Sequence, residues 1–383
     1  MNKAVCAAAV CLMAGQAGQA WAADGGTSVT LYGLISTGMG YVSNAGGQRL
    51  WQQVSGANQN NRWGFNIKED LGGGLGVVAR LESGFSGING TASQNGRLFG
   101  REASVGLASK AWGTLTMGRQ YDATWDYITP IASAAGGELM APGDAENIFG
   151  SWRYSNSVKY RSPDIAGFQG EALYAFSNSS DFAVNRAFNL GLKYAHGPAQ
   201  VAAVYTQLDK PGTTNPDGAV SSDYSGPAFF LYRQSPQGAG TARQRNFFVA
   251  GEYKFGSGVS LDAMFNAARF SYLDGTRFSL DNYHLTASYL LTPALTVAGT
   301  YIYSNGRWEG DGHASAHWNA AQILADYAFS RRTDVYAYYD LVHSSGPLKS
   351  ASGVPMAVAD TYGNVPSSSH TQGFAVVGLR HRF

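Results

Sequence analysis

The stretch NRWGFNIKEDLGGGLGVVARLESGF, residues 61–85, decides the fold. On its first arm Trp63, Phe65 and Ile67 share one face, and Arg62, Asn66 and Lys68 share the other. After a glycine-rich turn at residues 70–74, Leu75, Val77, Ala79, Leu81 and Phe85 oppose Arg80 and Glu82. This alternation has period two, which marks a β-hairpin rather than a helix. A soluble sheet would turn the apolar face to a core and the charged face to bulk water. A membrane barrel inverts this, with apolar residues toward lipid and Arg, Lys and Glu toward a wet interior. One hairpin fits both, so the choice rests on how often the unit recurs and on what precedes it.

What precedes it is Lys3, an apolar run over residues 4–14, and small residues ending in Ala20-Trp21-Ala22. That three-part pattern predicts a cleaved secretory signal at 1–22 and a mature chain from Ala23. The run is too short for a membrane anchor, which needs about 18 apolar residues. Cys6 and Cys11 both lie inside it, leaving the mature chain without disulfides or cysteine-bound metal. Its removal takes away one lysine and no acid, so Lys and Arg come level with the 26 Asp and Glu. A formally neutral protein is not a nucleic-acid binder by charge.

The composition, with Gly 49, Tyr 22 and Phe 19 against Pro 12, is that of strands and turns, and no later apolar run is long enough for a membrane helix. No charge run or Ser/Pro tract divides residues 23–383, which therefore read as one domain. A first strand at 27–43 is followed by a polar loop at 44–60 and the opening hairpin. Six more hairpins follow, at 97–121, 152–177, 185–208, 244–270, 280–304 and 318–343, before a last strand at 374–383. Seven tight turns give fourteen strands, and the first and last make sixteen. An even count, with short turns at one end and long loops at the other, is the layout of an outer-membrane barrel. The predicted fold is thus an all-β, sixteen-stranded antiparallel transmembrane β-barrel, wide enough for an aqueous channel. Tyr41, Tyr160, Tyr194, Tyr253, Phe255, Tyr289, Tyr301, Tyr303, Tyr327 and Phe329 sit on the outward parity near strand ends, as interfacial ring belts do.

Local motifs point the same way. Thr30-Leu31-Tyr32-Gly33, Asn61-Arg62-Trp63-Gly64-Phe65, Glu69-Asp70-Leu71-Gly72-Gly73-Gly74-Leu75 and Leu81-Glu82-Ser83-Gly84-Phe85 come first. Leu98-Phe99-Gly100-Arg101, Val105-Gly106-Leu107, Gly118-Arg119-Gln120-Tyr121, Asn156-Ser157-Val158-Lys159-Tyr160 and Val377-Gly378-Leu379-Arg380-His381-Arg382-Phe383 follow. Together they resemble the general diffusion porins of β-proteobacteria, densely before Arg161 and sparsely after it. The resemblance implies a homotrimeric outer-membrane porin passing inorganic ions and small hydrophilic solutes by passive diffusion, with no cofactor and no bound metal. It implies a third loop, residues 122–150, folded inward as a constriction. It also implies outer-membrane lipid and lipopolysaccharide as surroundings, and a terminal Phe383 read as an assembly signal by the barrel insertion machinery.

Anion-selective members of that family line their constriction with arginines, and the matching positions are Arg62, Arg101 and Arg153, with Arg119 placed beside them. Parity independently turns Arg62, Arg80, Glu82, Arg153, Lys159 and Arg161 inward. It turns Arg101 outward with Ala103, Val105 and Leu107. The loop carries Asp122, Asp126, Glu138, Asp144 and Glu146 and no Lys or Arg, so acids facing wall arginines would set a transverse field with weak net preference. Gly72-Gly73-Gly74 precedes a strand and lacks Lys-Ser/Thr, so it is a turn and no phosphate loop. His313 and His317 read as loop histidines, not metal ligands. A barrel enzyme or a surface adhesin is the alternative; the enzyme would need a nucleophile constellation at the rim, and none of the seven His lies in one.

Overall fold

The computed structural model describes residues 26–383 except 134–135, 138, 212–214, 216, 221–222, 225–231, 311–312 and 362. The expected signal at 1–22 and Glu138 therefore lie outside the described residues. The chain begins with β1 (Ser28–Ala45) and β2 (Gln48–Ser55), and the opening hairpin is made by β3 (Arg62–Gly72) and β4 (Leu75–Gly84). Then come β5 (Glu102–Ser109), β6 (Gly113–Gln120), β7 (Tyr154–Arg161), β8 (Phe168–Ala175), β9 (Arg186–His196) and β10 (Ala199–Asp209). The long strands are β11 (Thr241–Lys254), β12 (Val259–Tyr272), β13 (Arg277–Thr292), β14 (Leu295–Glu309), β15 (Ser315–Ala328), β16 (Thr333–Ser345) and β17 (Thr371–Arg382).

β1 pairs antiparallel with both β2 and β3, consecutive strands pair antiparallel from β3 onward, and the ring closes where β1 meets β17, from Leu34 opposite Arg382 to Val42 opposite Phe374. The seventeen segments make a sixteen-stranded barrel, because β2 and β3 occupy the same edge of β1. Ser55 to Gln48 pair with Thr37 to Ala45, and Lys68 to Arg62 pair with Ser28 to Leu34. The polar loop expected at 44–60 is thus mostly strand. Gly46 and Gly47 take positive φ, and the Gly47 N–H donates to Asn44 Oδ1 at 2.7 Å, closing a tight turn that the polar sequence disguised.

Along β11 the two faces separate cleanly: Gln244, Asn246, Phe248 and Ala250 are buried, whereas Phe247, Val249 and Tyr253 are exposed. Exposed apolar side chains recur on this outer parity around the barrel, among them Leu107, Leu192, Leu285, Ile323 and Val377. A closed barrel leaves no open strand edge, and its apolar outside suits lipid. The ring belts are outside too: Tyr160, Tyr253, Phe255, Tyr289, Tyr301, Tyr327 and Phe329 are all exposed.

The inner face is less uniformly polar than the alternation suggested. Ala123, Tyr127, Ile128, Ile131, Ala132 and Ile148 pack against Ala202, Val204, Phe248, Ala250 and Met264 of β10–β12. Ile128 and Ile131 are fully buried there, and each contributes about 1.5–3 kcal/mol by leaving water. A second cluster joins Leu139, Ala141, Tyr232, Met356 and Ala357 from the long connections to Phe270, Phe278, Ile302, Trp308 and Trp318 on the wall. Long connections are thereby fastened to the buried face of strands other than the ones they join.

Candidate functional site

The site residues expected from the sequence gather in two places on the inner face, apart from a third charged group in which Arg380 pairs with Asp326 and Asp334. The first spans β3–β7. Glu82, inward on β4, accepts from the Tyr32 hydroxyl at 2.8 Å and from Arg101 Nε at 2.6 Å, with Arg62 Nε 3.9 Å away. Arg80 donates Nε to Asn66 Oδ1 at 2.9 Å and lies 3.4 Å from Glu102. Arg119 donates to the Gly100 carbonyl at 2.8 Å, to the Ser155 hydroxyl at 2.9 Å and to Asp223. Arg97 reaches the same Asp223 carboxylate at 2.8 Å.

Arg153 stands apart from these pairs. Its Nη2 donates to the Tyr121 hydroxyl at 2.8 Å, and its guanidinium lies 5.0 Å from the centre of the Tyr121 ring. Arg101 approaches the same ring at 5.8 Å, within the range of cation–π attraction. Tyr121 is itself held by stacking on Trp125 at 4.4 Å. Among the described residues the Arg153 guanidinium meets no carboxylate, and its buried Nε has no acceptor.

Arg101 is where parity misled. β5 begins only at Glu102, so Arg101 lies in the bend before the strand and does not inherit its alternation. The chain turns the side chain inward onto Glu82, leaving it 1% exposed.

The second gathering lies on β7 and β8. Asp126 pairs with Lys159 Nζ at 2.9 Å and with Arg161, while Arg161 also lies 2.7 Å from Glu171. Burial opposes ionisation of Asp126, yet Arg161 and Lys159 beside it hold its carboxyl well below the usual carboxylate range. The remaining described acids of residues 122–150 are also engaged. Asp122 accepts from Asn189 at 3.1 Å and from the Trp125 N–H at 3.3 Å, and burial raises its pKa. Asp144 accepts from the Ser151 hydroxyl at 2.5 Å, and burial pushes its carboxyl up to about 8. Glu146 lies 3.0 Å from His284 Nε2 and accepts from Asn282 at 3.2 Å. The expected opposition of these acids to Arg62 and Arg153 therefore gives way to contacts with β7–β9 and β13. The reason is local: Lys159, Arg161, Asn189 and His284 stand nearer to the loop than the arginine group does.

Sequence reasoning missed Asp223, which sits in a Gly/Pro/Ser-rich connection with no periodicity to mark it, and Tyr121 as the plate beneath two arginines. Glu171 had a usable signal in its inward parity on β8. His317 lies in β15 rather than in a loop, its Nδ1 3.1 Å from the Tyr303 hydroxyl. Phe383 follows β17 at the seam, where its N–H and C=O bond those of Gly33 at 3.0 Å each.

A closed sixteen-stranded barrel, apolar outside and charged within, is the architecture of an outer-membrane channel. A family model described as Gram-negative porin matches residues 4–347. The chain is 31% identical to an outer membrane porin protein of Bordetella pertussis over the full length of both, and 28% identical to outer membrane porin protein 32 of Delftia acidovorans, again over both whole chains. The anion-selective porin from Comamonas acidovorans has the same fold, with a TM-score of 0.71 at 21% identity over 94% of this chain and 100% of that one. The chain belongs to the Gram-negative porin family. It is an outer-membrane protein and a channel rather than an enzyme.

Proposed function

We propose that the barrel passes ions and small hydrophilic solutes by passive diffusion, with a weak preference for anions set at the arginine group. In this reading residues 122–150 lie across the lumen and narrow it, and Arg62, Arg80, Arg101, Arg119 and Arg153 line the passage beside them. The observation that carries it is Arg153, a buried guanidinium with no carboxylate partner among the described residues. An uncompensated buried cation is costly unless an anion or water meets it. The described acids of residues 122–150 do not cancel it, because Asp122, Asp126 and Glu146 are engaged by the wall and Asp144 by Ser151. The Comamonas porin of like fold is called anion-selective, which agrees with this sign. A homotrimer is part of the same proposal, in keeping with a Vibrio cholerae outer membrane protein of this fold solved in a trimer form. So are a signal at 1–22, a mature chain from residue 23, and Phe383 as the mark read by the insertion machinery.

Reversal potentials across a salt gradient test the selectivity. Replacing Arg62 and Arg153 by Ala should move ion preference toward cations several-fold. The shift should shrink as salt rises from about 0.1 to 1 M, because the Debye length falls from about 10 to 3 Å. An arginine variant indistinguishable from the parent would place the selective charge elsewhere.

A further inference from the structure

The connection between β10 and β11 does not stand off the barrel mouth as a solvated surface loop. It lies against β7–β9, where the Ser155 N–H donates to the Ala219 carbonyl at 2.7 Å and the Ala219 N–H to the Asn185 carbonyl at 2.7 Å. The Val220 N–H donates to Asn185 Oδ1 at 3.1 Å. Ala219, Val220 and Tyr224 pack into a buried cluster with Trp152, Leu173 and Leu208, and the Tyr224 hydroxyl donates to Gln244 Oε1 at 2.8 Å. A Cβ at Gly218 would stand 2.3 Å from Asn185 Nδ2, so glycine lets the chain come this close. Asp223 falls between these anchors, and packing and hydrogen bonds on both sides fix its place.

Three donors converge on its carboxylate. Arg97 Nη1 reaches Oδ1 at 2.8 Å, Arg119 Nη2 donates to Oδ2, and the Arg153 backbone N–H donates to Oδ2 at 3.4 Å. Asp223 is 6% exposed and Arg119 8%, so little water screens that pair. The other carboxylates that touch the arginine group, Glu82 and Glu102, belong to the wall strands β4 and β5. Among the described residues Asp223 is the one such carboxylate brought in by a connection. Two guanidiniums share it, so the trio keeps one positive charge where Arg97 and Arg119 alone would present two.

We propose that Asp223 sets the strength of the channel's anion preference. It is an internal counter-charge, carried into the mouth by the connection between β10 and β11, and it cancels part of the field of Arg97 and Arg119. Charge rings filter ions by their net field, so the same wall without this carboxylate is a stronger anion filter. The anchors at 219, 220 and 224 hold the connection down without Asp223, which separates its charge from a merely structural role. The inference rests on the selectivity proposed for the arginine group, and the direction of the shift, not the parent's own preference, decides it.

Reversal potentials across a salt gradient compare the parent with D223N, R119Q and the double variant, each purified as the heat-modifiable barrel. D223N keeps the size of the side chain and removes its charge, and it should raise the anion-to-cation permeability ratio several-fold. R119Q should lower the ratio, and R119Q/D223N should fall between the single variants. Gly218→Val, which pushes the connection off Asn185 and takes Asp223 with it, should shift the ratio in the same direction as D223N. A parent that prefers cations, with D223N still displaced toward anions, would overturn the selectivity reading and support Asp223 as the counter-charge. An unchanged ratio in D223N, or a shift toward cations, overturns the proposal. A change of conductance alone also overturns it and makes Asp223 a strut of the connection.

Discussion

Asp144 combines complete burial with a carboxylate neighbour two residues on. Burial pushes its carboxyl up to about 8, against the hydrogen bond from Ser151 and with the help of Glu146. Below that pH the folded protein holds a proton which the unfolded chain, with an ordinary aspartate near 3.8, has already released. Stability from this group is therefore complete in acid and falls as pH rises from about 4 to 8, the opposite of a salt-bridged aspartate. Asp126 is that opposite case, since its ion pairs lower its pKa and fail only in strong acid. Open-channel current noise should accordingly grow between pH 6 and pH 9 as residues 141–150 loosen, and Asp144→Asn should abolish that growth. The same rise in parent and variant would assign it to another group. None of this was legible in the sequence, where Asp144 read as one of five loop acids facing wall arginines; burial in the folded chain decides its chemistry. Arg101 teaches the same at the wall, because an alternation argument ends where the strand ends.

Elements were legible wherever one physical rule held from end to end. Period-two alternation located all seven tight turns, because mid-strand residues see lipid on one side and the interior on the other. It failed at the long-loop ends, where β14 runs on through Glu309 beyond the expected limit at 304. There Arg307 and Glu309 face outward while Trp308 is buried, and on β13 Asp281 faces outward while Phe278 and Leu280 are buried. The pattern has flipped to that of a soluble sheet, polar outside and apolar within, as it must where strands rise past the hydrocarbon and loops cover them. Residues 122–150 depend on that inner packing and on one small residue. A Cβ at Gly191 would stand 2.4 Å from Ala123 Cβ and 3.1 Å from Tyr127 Cδ2, so only glycine lets the π-helical turn Thr124–Ile128 approach β9. Gly191→Val should leave the barrel folded and heat-modifiable while displacing that turn, which would alter single-channel conductance and raise its noise. Unchanged conductance would mean the turn does not border the ion path.

At the scale of the whole molecule, closure is the step on which every strand depends, and it is made where the two ends of the chain meet. The seam of β1 and β17 ends in two reciprocal backbone bonds between Gly33 and Phe383, and the Phe383 ring lies over Gly33, where a Cβ would stand 2.1 Å from Cζ. Deleting Phe383 removes those two bonds and one half-covered ring, about 1–3 kcal/mol from the bonds on the usual range for each. That is a small loss against a closed ring of paired strands, so a refolded deletion variant should unfold near the parent's midpoint. If the residue is chiefly an assembly mark, its loss should nevertheless leave unfolded precursor in the periplasm and little protein in the outer membrane. Gly33→Ala separates the two roles, because it evicts the ring from its seat while leaving the C-terminal residue intact for recognition. An assembly role predicts near-normal outer-membrane levels for Gly33→Ala and a large fall for the deletion, measured by fractionation and heat-modifiability. Equal falls in both would make Phe383 a latch of the seam, and equal, undiminished levels would show that neither closure nor delivery needs it.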